Sequence, residues 1–277
     1  GSFVSRSTVE EVYQQILNDL VRAESLLPST NGFFARNYVV AAQLSRVYLQ
    51  LGRYAEARDA ADRAIAVATA NGKAILPDYM SAFNTDADSP EDIFAIQVNT
   101  QDPTNEMFLY YSLPEFGARG GDVAILDSHL ENYEADDERL DQFFLSAGEF
   151  RTAKWRDQFK NVKVIRLAEL YLTRAEANFR AGTTVGATPL EDLNRIRTRV
   201  GLGPLTDVTL DAILKERKLE LAHEGQIIHD IKRTQGIVKD NSSETVFNYD
   251  DPRMVFPIPQ REMDANPNLV QNPGYGG

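Results

Sequence analysis

Tyr48-Leu49-Gln50-Leu51-Gly52-Arg53-Tyr54-Ala55-Glu56-Ala57 is the stretch whose reading decides the fold. Upstream of it, Ala41, Leu44, Val47, Tyr48 and Leu51 share one face at helical spacing. Gly52 then breaks the run, as expected of a residue that tolerates the left-handed backbone on which helices close. Tyr54, Ala57, Ala61, Ala64 and Ile65 restart the same period, so residues 38–70 predict two helices joined by a tight turn. Their alanines let the paired helices approach closely.

The offsets of Leu, Gly, Tyr and Ala fit the helix–turn–helix of a tetratricopeptide repeat, whose period is about 34 residues. A related unit follows in residues 165–177, ended by Ala181-Gly182. Leu190, Leu193, Ile196 and Val200 line its partner helix, and the loop 183–188 makes it longer than the standard repeat. A further helix over about 210–223 buries Leu210, Ile213, Leu214 and Leu221, with Gly225 as its stop or kink. Ahead of the first pair, Ser7 or Thr8 caps an amphipathic helix with Glu10 and Glu11 in its first turn. Val9, Val12, Tyr13, Ile16, Leu17, Leu20 and Leu27 give it an apolar face, read as core, and Pro28 closes it.

The two repeats are not in tandem. Residues 71–164 intervene, and a long insertion in a helical scaffold is where binding loops sit. Within it Ile93-Phe94-Ala95-Ile96-Gln97-Val98 reads as a short strand, and aromatic residues are scattered among turn formers. The chain ends on Arg253-Met254-Val255-Phe256-Pro257-Ile258-Pro259-Gln260-Arg261-Glu262 and Asn266-Pro267-Asn268-Leu269-Val270-Gln271-Asn272-Pro273-Gly274-Tyr275. Its prolines exclude a helix interior or a central strand. Phe256, Ile258, Leu269 and Tyr275 ask for burial, so an ordered, irregular strap packed across a core is expected. The fold class is therefore all-α, with tetratricopeptide-like helix pairs, a long loop insertion and a Pro/Asn-rich C-terminal strap. We read 1–277 as one domain: 3–70 holds the first helix and first pair, 71–164 the insertion, and 165–277 the second pair and strap.

Composition narrows the function classes. Apolar residues make up 43% and charged residues 25%, ordinary for a globular protein. The net charge of −12 and the lack of a basic run argue against nucleic acid and anionic lipid as partners. There is no cysteine, which excludes disulfides and thiolate metal sites. No apolar run reaches the ~20 residues that span a bilayer. Gly1-Ser2 reads as a cloning scar, so the visible lack of a signal peptide carries no weight.

Six motifs in order resemble the SusD/RagB family, the surface glycan-binding lipoproteins of Bacteroidota. The 48–57 stretch resembles that family's internal repeat. Asp78-Tyr79, Phe83 and Glu91-Asp92-Ile93-Phe94-Ala95 are similar to its next element. Val164-Ile165-Arg166-Leu167-Ala168-Glu169-Leu170-Tyr171-Leu172-Thr173-Arg174-Ala175-Glu176-Ala177 is similar to its most recognisable helix. Leu193-Asn194-Arg195-Ile196-Arg197, followed by Val200-Gly201-Leu202, and Glu216-Arg217-Lys218-Leu219-Glu220-Leu221-Ala222-His223-Glu224-Gly225 fit two more of its patterns. Phe256-Pro257-Ile258-Pro259-Gln260 and Gln271-Asn272-Pro273-Gly274-Tyr275 resemble its closing signature. Where the family often has Trp or Phe and then Asp-Leu after Glu-Gly, this chain has Gln226-Ile227-Ile228-His229-Asp230-Ile231, conservative for packing.

Members are usually longer, with an N-terminal part that carries the lipid-anchor Cys. The chain is thus expected to be a truncated or short member, and a truncated one should expose a large apolar patch. The resemblance implies a non-catalytic lipoprotein facing outward from the outer membrane. It would capture an oligosaccharide or polysaccharide and deliver it to a SusC-like TonB-dependent transporter, without a cofactor or a metal.

Sugar binding needs aromatic faces for pyranose rings and planar polar groups for hydroxyls. Phe108, Tyr110, Tyr111 and Phe116 are the candidate platforms, with Asn105, Arg119 and Asp122 as polar partners. Anchoring the loop to the scaffold is the commoner role of any one large aromatic. Trp155, the sole tryptophan, reads as structural. His223 and His229 are six apart, not the four of a helical zinc pair, so with Glu224 they read as capping or packing groups. The acidic runs 86–92 and 136–138 do not match a calcium loop and read as solvated. Asp122, Asp127 and Glu131 are conceivable glycosidase carboxylates, but nothing in their spacing sets them apart. The alternatives to capture are a tetratricopeptide-type adaptor and, behind it, a glycoside hydrolase.

Overall fold

The computed structural model describes residues 3–240 and 243–275. The chain groups into two compact units: 20–226, and a smaller one built from its two ends, up to Asp19 and from Ile227.

Helix α1, Val9–Leu26, starts on a reciprocal cap. The Glu11 N–H donates to Thr8 Oγ1 at 3.1 Å, and the Thr8 N–H donates to Glu11 Oε2 at 2.8 Å. Its expected role as a core helix is corrected: only Leu17 is buried, and Val9 is 73% exposed. An apolar stripe says which face is apolar, not that another layer covers it.

The larger unit is the predicted pair of pairs. Helices α2, Asn37–Gln50, and α3, Tyr54–Ala70, turn at Gly52, whose φ of 69° needs glycine. Ala57, Ala60, Ala61, Ala64 and Ala68 of α3 are buried, which permits the tight approach. The insertion contributes strand β1, Asp92–Ile96, helix α4, Glu106–Tyr111, and helix α5, Asp127–Leu130. It also contributes strands β2, Phe143–Ser146, β3, Glu149–Thr152, and β4, Val162–Arg166. β2 and β3 form a hairpin through Ala147-Gly148, both at positive φ, as a two-residue turn of this hand requires. β1 pairs antiparallel with β4, and the chain runs straight from β4 into helix α6, Leu167–Ala181.

Helix α6 is buried on every side from Leu167 to Asn178. Its apolar residues join Tyr38, Ala42 and Ala64 with Leu193, Ile196 and Ile213 in the main core. The last three come from helices α7, Pro189–Arg199, and α8, Leu210–Glu220. The long loop before α7 is held by Asn178, which donates to Val185 O and Ala187 O at 3.0 and 3.1 Å. α8 ends three residues earlier than expected; the chain then turns, with His223 at a φ of 64°.

The smaller unit adds helix α9, Ile227–Arg233, the hairpin of strands β5, Ile237–Lys239, and β6, Val246–Asn248, and helix α10, Gln260–Ala265, between Pro259 and Pro267. The strap is ordered but not packed as expected. Phe256 is 92% exposed, and none of residues 251–275 is buried. Amide side chains hold it instead. Gln271 Nε2 donates to Ile258 O at 2.8 Å while its Oε1 accepts the Ile258 N–H at 2.8 Å, and Asn272 Nδ2 donates to Phe256 O at 2.7 Å.

Candidate functional site

The floor beneath the site is charged. The turn after α8 leaves carbonyls that no helical N–H reaches, and side chains from the insertion satisfy them. Lys154 Nζ donates to Ala222 O at 2.7 Å, Tyr79 Oη and Arg166 Nη2 each donate to Glu220 O at 3.0 Å, and Trp155 Nε1 donates to His223 O at 2.9 Å. The two cations also sit where the dipole of α8 favours positive charge. Arg166, fully buried, binds Glu91 at 2.5 Å, Glu220 at 2.8 Å and Glu224 at 2.7 Å. Arg199 binds Glu220 at 2.5 Å and Glu91 at 3.2 Å. Arg139 joins Asp137 at 2.7 Å to Glu216 at 2.6 Å.

Most motifs that mark the chain in sequence thus meet in one buried ion network. Burial opposes ionisation of Glu220, but Arg199, Arg166 and Arg139 outweigh it and hold its carboxyl well below the usual range. Glu224 is likewise lowered against burial, by Arg166 and Lys154. Burial prevails at Glu216, which is raised, and at Lys154, which is pulled down to about 8 although Glu224 opposes it. Beside the network His129 and His223 pack edge to face with ring centres 5.2 Å apart, among Tyr111, Tyr133 and Phe143. Burial first, then Lys218 and Lys154, pushes His129 down to about 4; burial, then Lys154 and His129, pushes His223 to about 3.

The aromatic segment stands on this floor. Ser112 Oγ donates to Arg156 O at 2.7 Å, and the Tyr111 ring meets His223 at 5.8 Å. Of the candidate contacts, Phe108 is a correction: it is 1% exposed and has no face to offer a ligand. Asn105 caps α4, its Oδ1 accepting the Phe108 N–H at 2.9 Å. Tyr111 is half-buried, and burial raises its phenol. Tyr110 and Phe116 are each 38% exposed. The Arg119 guanidinium lies 5.4 Å from the centre of the Tyr110 ring and pairs with Asp122 at 3.4 Å; that of Arg156 lies 5.6 Å from the centre of Phe116.

Sequence reasoning missed Phe144, whose ring meets Phe116 edge-on at 6.4 Å, and Arg151, its cross-strand partner. The Ala147-Gly148 turn between Phe143-Phe144-Leu145 and Glu149-Phe150-Arg151 was the available signal. Trp155 is structural as read, 6% exposed and hydrogen-bonded. The acidic run is not solvated throughout: Asp92 binds Lys163 at 2.7 Å, Asp88 accepts from Gln97 at 2.6 Å, and Asp137 is buried against Arg139. Among the described residues no group of three or more His, Asp or Glu is placed to hold a metal ion, and no helix is long and apolar enough to cross a membrane.

Comparison with known proteins bears on the fold and the family. A family model described as "SusD family" matches residues 149–275, and one described as "Starch-binding associating with outer membrane" matches residues 2–49. A solved Bacteroides vulgatus structure, provisionally named a sugar binding protein, is 31% identical, with a TM-score of 0.87 over 99% of this chain and 68% of its own. The chain belongs to the SusD family. A SusD superfamily protein from Bacteroides thetaiotaomicron is 28% identical, with a TM-score of 0.83 over 98% of this chain and 68% of its own. The SusD-like protein P2 of Formosa agariphila is 28% identical over 98% of this chain. The chain spans 66% of that relative's length. The mostly helical, tetratricopeptide-like architecture is thus that of SusD superfamily structures.

Proposed function

We propose that this SusD-family chain captures a glycan without cleaving it, at the surface formed by Tyr110, Phe116, Arg119 and Asp122, with Tyr111 beneath. One observation carries the reading. Two part-exposed rings, each beside a guanidinium, project from a segment held by the Ser112 hydroxyl on the Arg156 carbonyl and by the Tyr111 ring against His223. That arrangement offers apolar faces and planar donors to a sugar. The name of the 31% identical Bacteroides vulgatus structure, provisionally a sugar binding protein, points the same way.

Delivery to a SusC-like TonB-dependent transporter, and a lipid-anchored, outward-facing place on the outer membrane, belong to this proposal. The outer-membrane association named for the family that residues 2–49 match supports it. The adaptor reading has less behind it, since residues 71–164 separate the two helix pairs, so they form no tandem array. The hydrolase reading has no specific observation in its favour. The test is native electrophoresis in gels cast with a panel of polysaccharides, with a reducing-end assay on the same mixtures. Retarded migration without new reducing ends supports capture; new reducing ends, or no retardation by any polysaccharide, refutes it.

A further inference from the structure

The β2–β3 hairpin holds a guanidinium that the capture surface does not yet account for. Arg151 is 5% exposed. Its Nη2 donates to Glu149, while its buried Nε and Nη1 have no hydrogen-bond partner. No other side chain among the described residues carries two such orphaned atoms. Buried donors are almost always satisfied, and an orphaned one is costly, more so when charged, so a guanidinium left with two calls for an acceptor.

Its setting says where that acceptor would come from. Arg151 pairs across the hairpin with Phe144, whose ring meets Phe116. Above it runs a glycine-rich loop, Gly117 to Asp122, which also carries Arg119 and Asp122. Gly121 packs over the guanidinium: a Cβ built on it would lie in ordinary contact, 3.6 Å, with Arg151 Cζ and Nε, while Leu113 Cδ2 at 2.6 Å and the positive φ are what require glycine there. Gly117 and Gly121 have φ of 92° and 67°, and the freedom of glycine lets such a loop re-form around a ligand.

We propose that Arg151 reads a negative charge on the captured glycan, a ring carboxylate or a sulfate ester, once the 117–122 loop lifts. The orphaned Nε and Nη1 lie on different edges of the guanidinium, so each can donate a single charge-assisted hydrogen bond to an acid oxygen. Arg119 and Arg156, bound to the part-exposed carboxylates Asp122 and Asp157, can exchange those weak partners for further ligand charges. The inference rests on the capture reading and deepens it, from glycan to anionic glycan.

The test is calorimetric titration of the full chain with polygalacturonate oligosaccharides, a sulfated galactan oligosaccharide and neutral malto- and laminari-oligosaccharides. The variants Arg151→Gln and Arg151→Lys are compared, with circular dichroism as the check on folding. Tighter binding of one anionic series than of the neutral sugars is expected, with about tenfold loss or more in Arg151→Gln and partial recovery in Arg151→Lys. The series that binds tells carboxylate from sulfate. Anionic sugars bound equally well by all three proteins overturn the role of Arg151. Binding of neutral sugars alone overturns this inference and leaves capture standing; binding of none overturns both. Should Arg151→Gln not fold, hydrogen exchange on the unaltered protein decides. Protection of residues 117–122 and 149–152 by the anionic sugar is expected, and unchanged exchange there refutes the proposal.

Discussion

Arg166→Met is the sharpest probe of the buried network. Arg166 is wholly enclosed and binds Glu91, Glu220 and Glu224, so removing its charge strands three carboxylates in the interior. Each keeps a cationic neighbour: Arg199 for Glu91, Arg199 and Arg139 for Glu220, and Lys154 for Glu224. Breaking a buried ion pair from one side costs about 3–5 kcal/mol, and we expect a loss in that range, because the surviving partners offset only part of the lost field. The control is Arg53→Met, which removes the surface pair with Glu56 and should cost about 0–1 kcal/mol. Trp155 supplies the assay. It is the only tryptophan, buried and hydrogen-bonded to the turn after α8, so its fluorescence during urea unfolding reports this region. A loss under about 1 kcal/mol, indistinguishable from the control, would refute the claim that the network holds the motifs together.

Acid should loosen the same region in two stages. His129 and His223 have folded pKa values of about 4 and about 3, below the ~6.5 of an unfolded histidine. The unfolded chain therefore binds more protons between these limits, and stability falls as pH drops from about 6.5 toward 4, by up to about 1.4 kcal/mol per pH unit for each histidine. Glu220 and Glu224 add their loss below about 4.3. His129→Phe should flatten the first stage in pH-dependent urea titrations; an unchanged slope would contradict it. Thr188→Ala removes the cap whose Oγ1 accepts the Glu191 N–H at 3.2 Å and should cost about 1 kcal/mol in the same unfolding assay. Tyr110→Ala and Phe116→Ala should each weaken glycan retardation in native gels by about fivefold or more while leaving the unfolding midpoint within error, since both rings are part-exposed. A lower midpoint with unaltered retardation would reassign them to packing.

The helix pairs were readable because period and punctuation are local: the apolar spacing of 38–70 and the turn at Gly52 appear as expected. The end of α8 was not, because a helix can stop where its carbonyls find distant donors, and Lys154 and Trp155 lie almost seventy residues away in sequence. The network was hidden for a related reason. Glu216, Arg217 and Glu220 look like the solvated face of an amphipathic helix until a further layer covers them. The opposite error befell α1 and the strap, where apolar residues that asked for burial stay exposed. At the site, the rings of 108–116 were visible by residue type. Which ring faces outward depends on the register of α4, and the roles of Phe144 and Arg151 depend on a hairpin that brings them beside a loop some thirty residues upstream.

The most direct measurement is a crystal structure of the chain with an oligosaccharide that it retains in native gels. The account predicts a sugar ring against Phe116 or Tyr110, with its polar groups within hydrogen-bonding reach of Arg119 or Asp122. An oligosaccharide lying along the faces of α2 and α3, with residues 105–122 untouched, would contradict it.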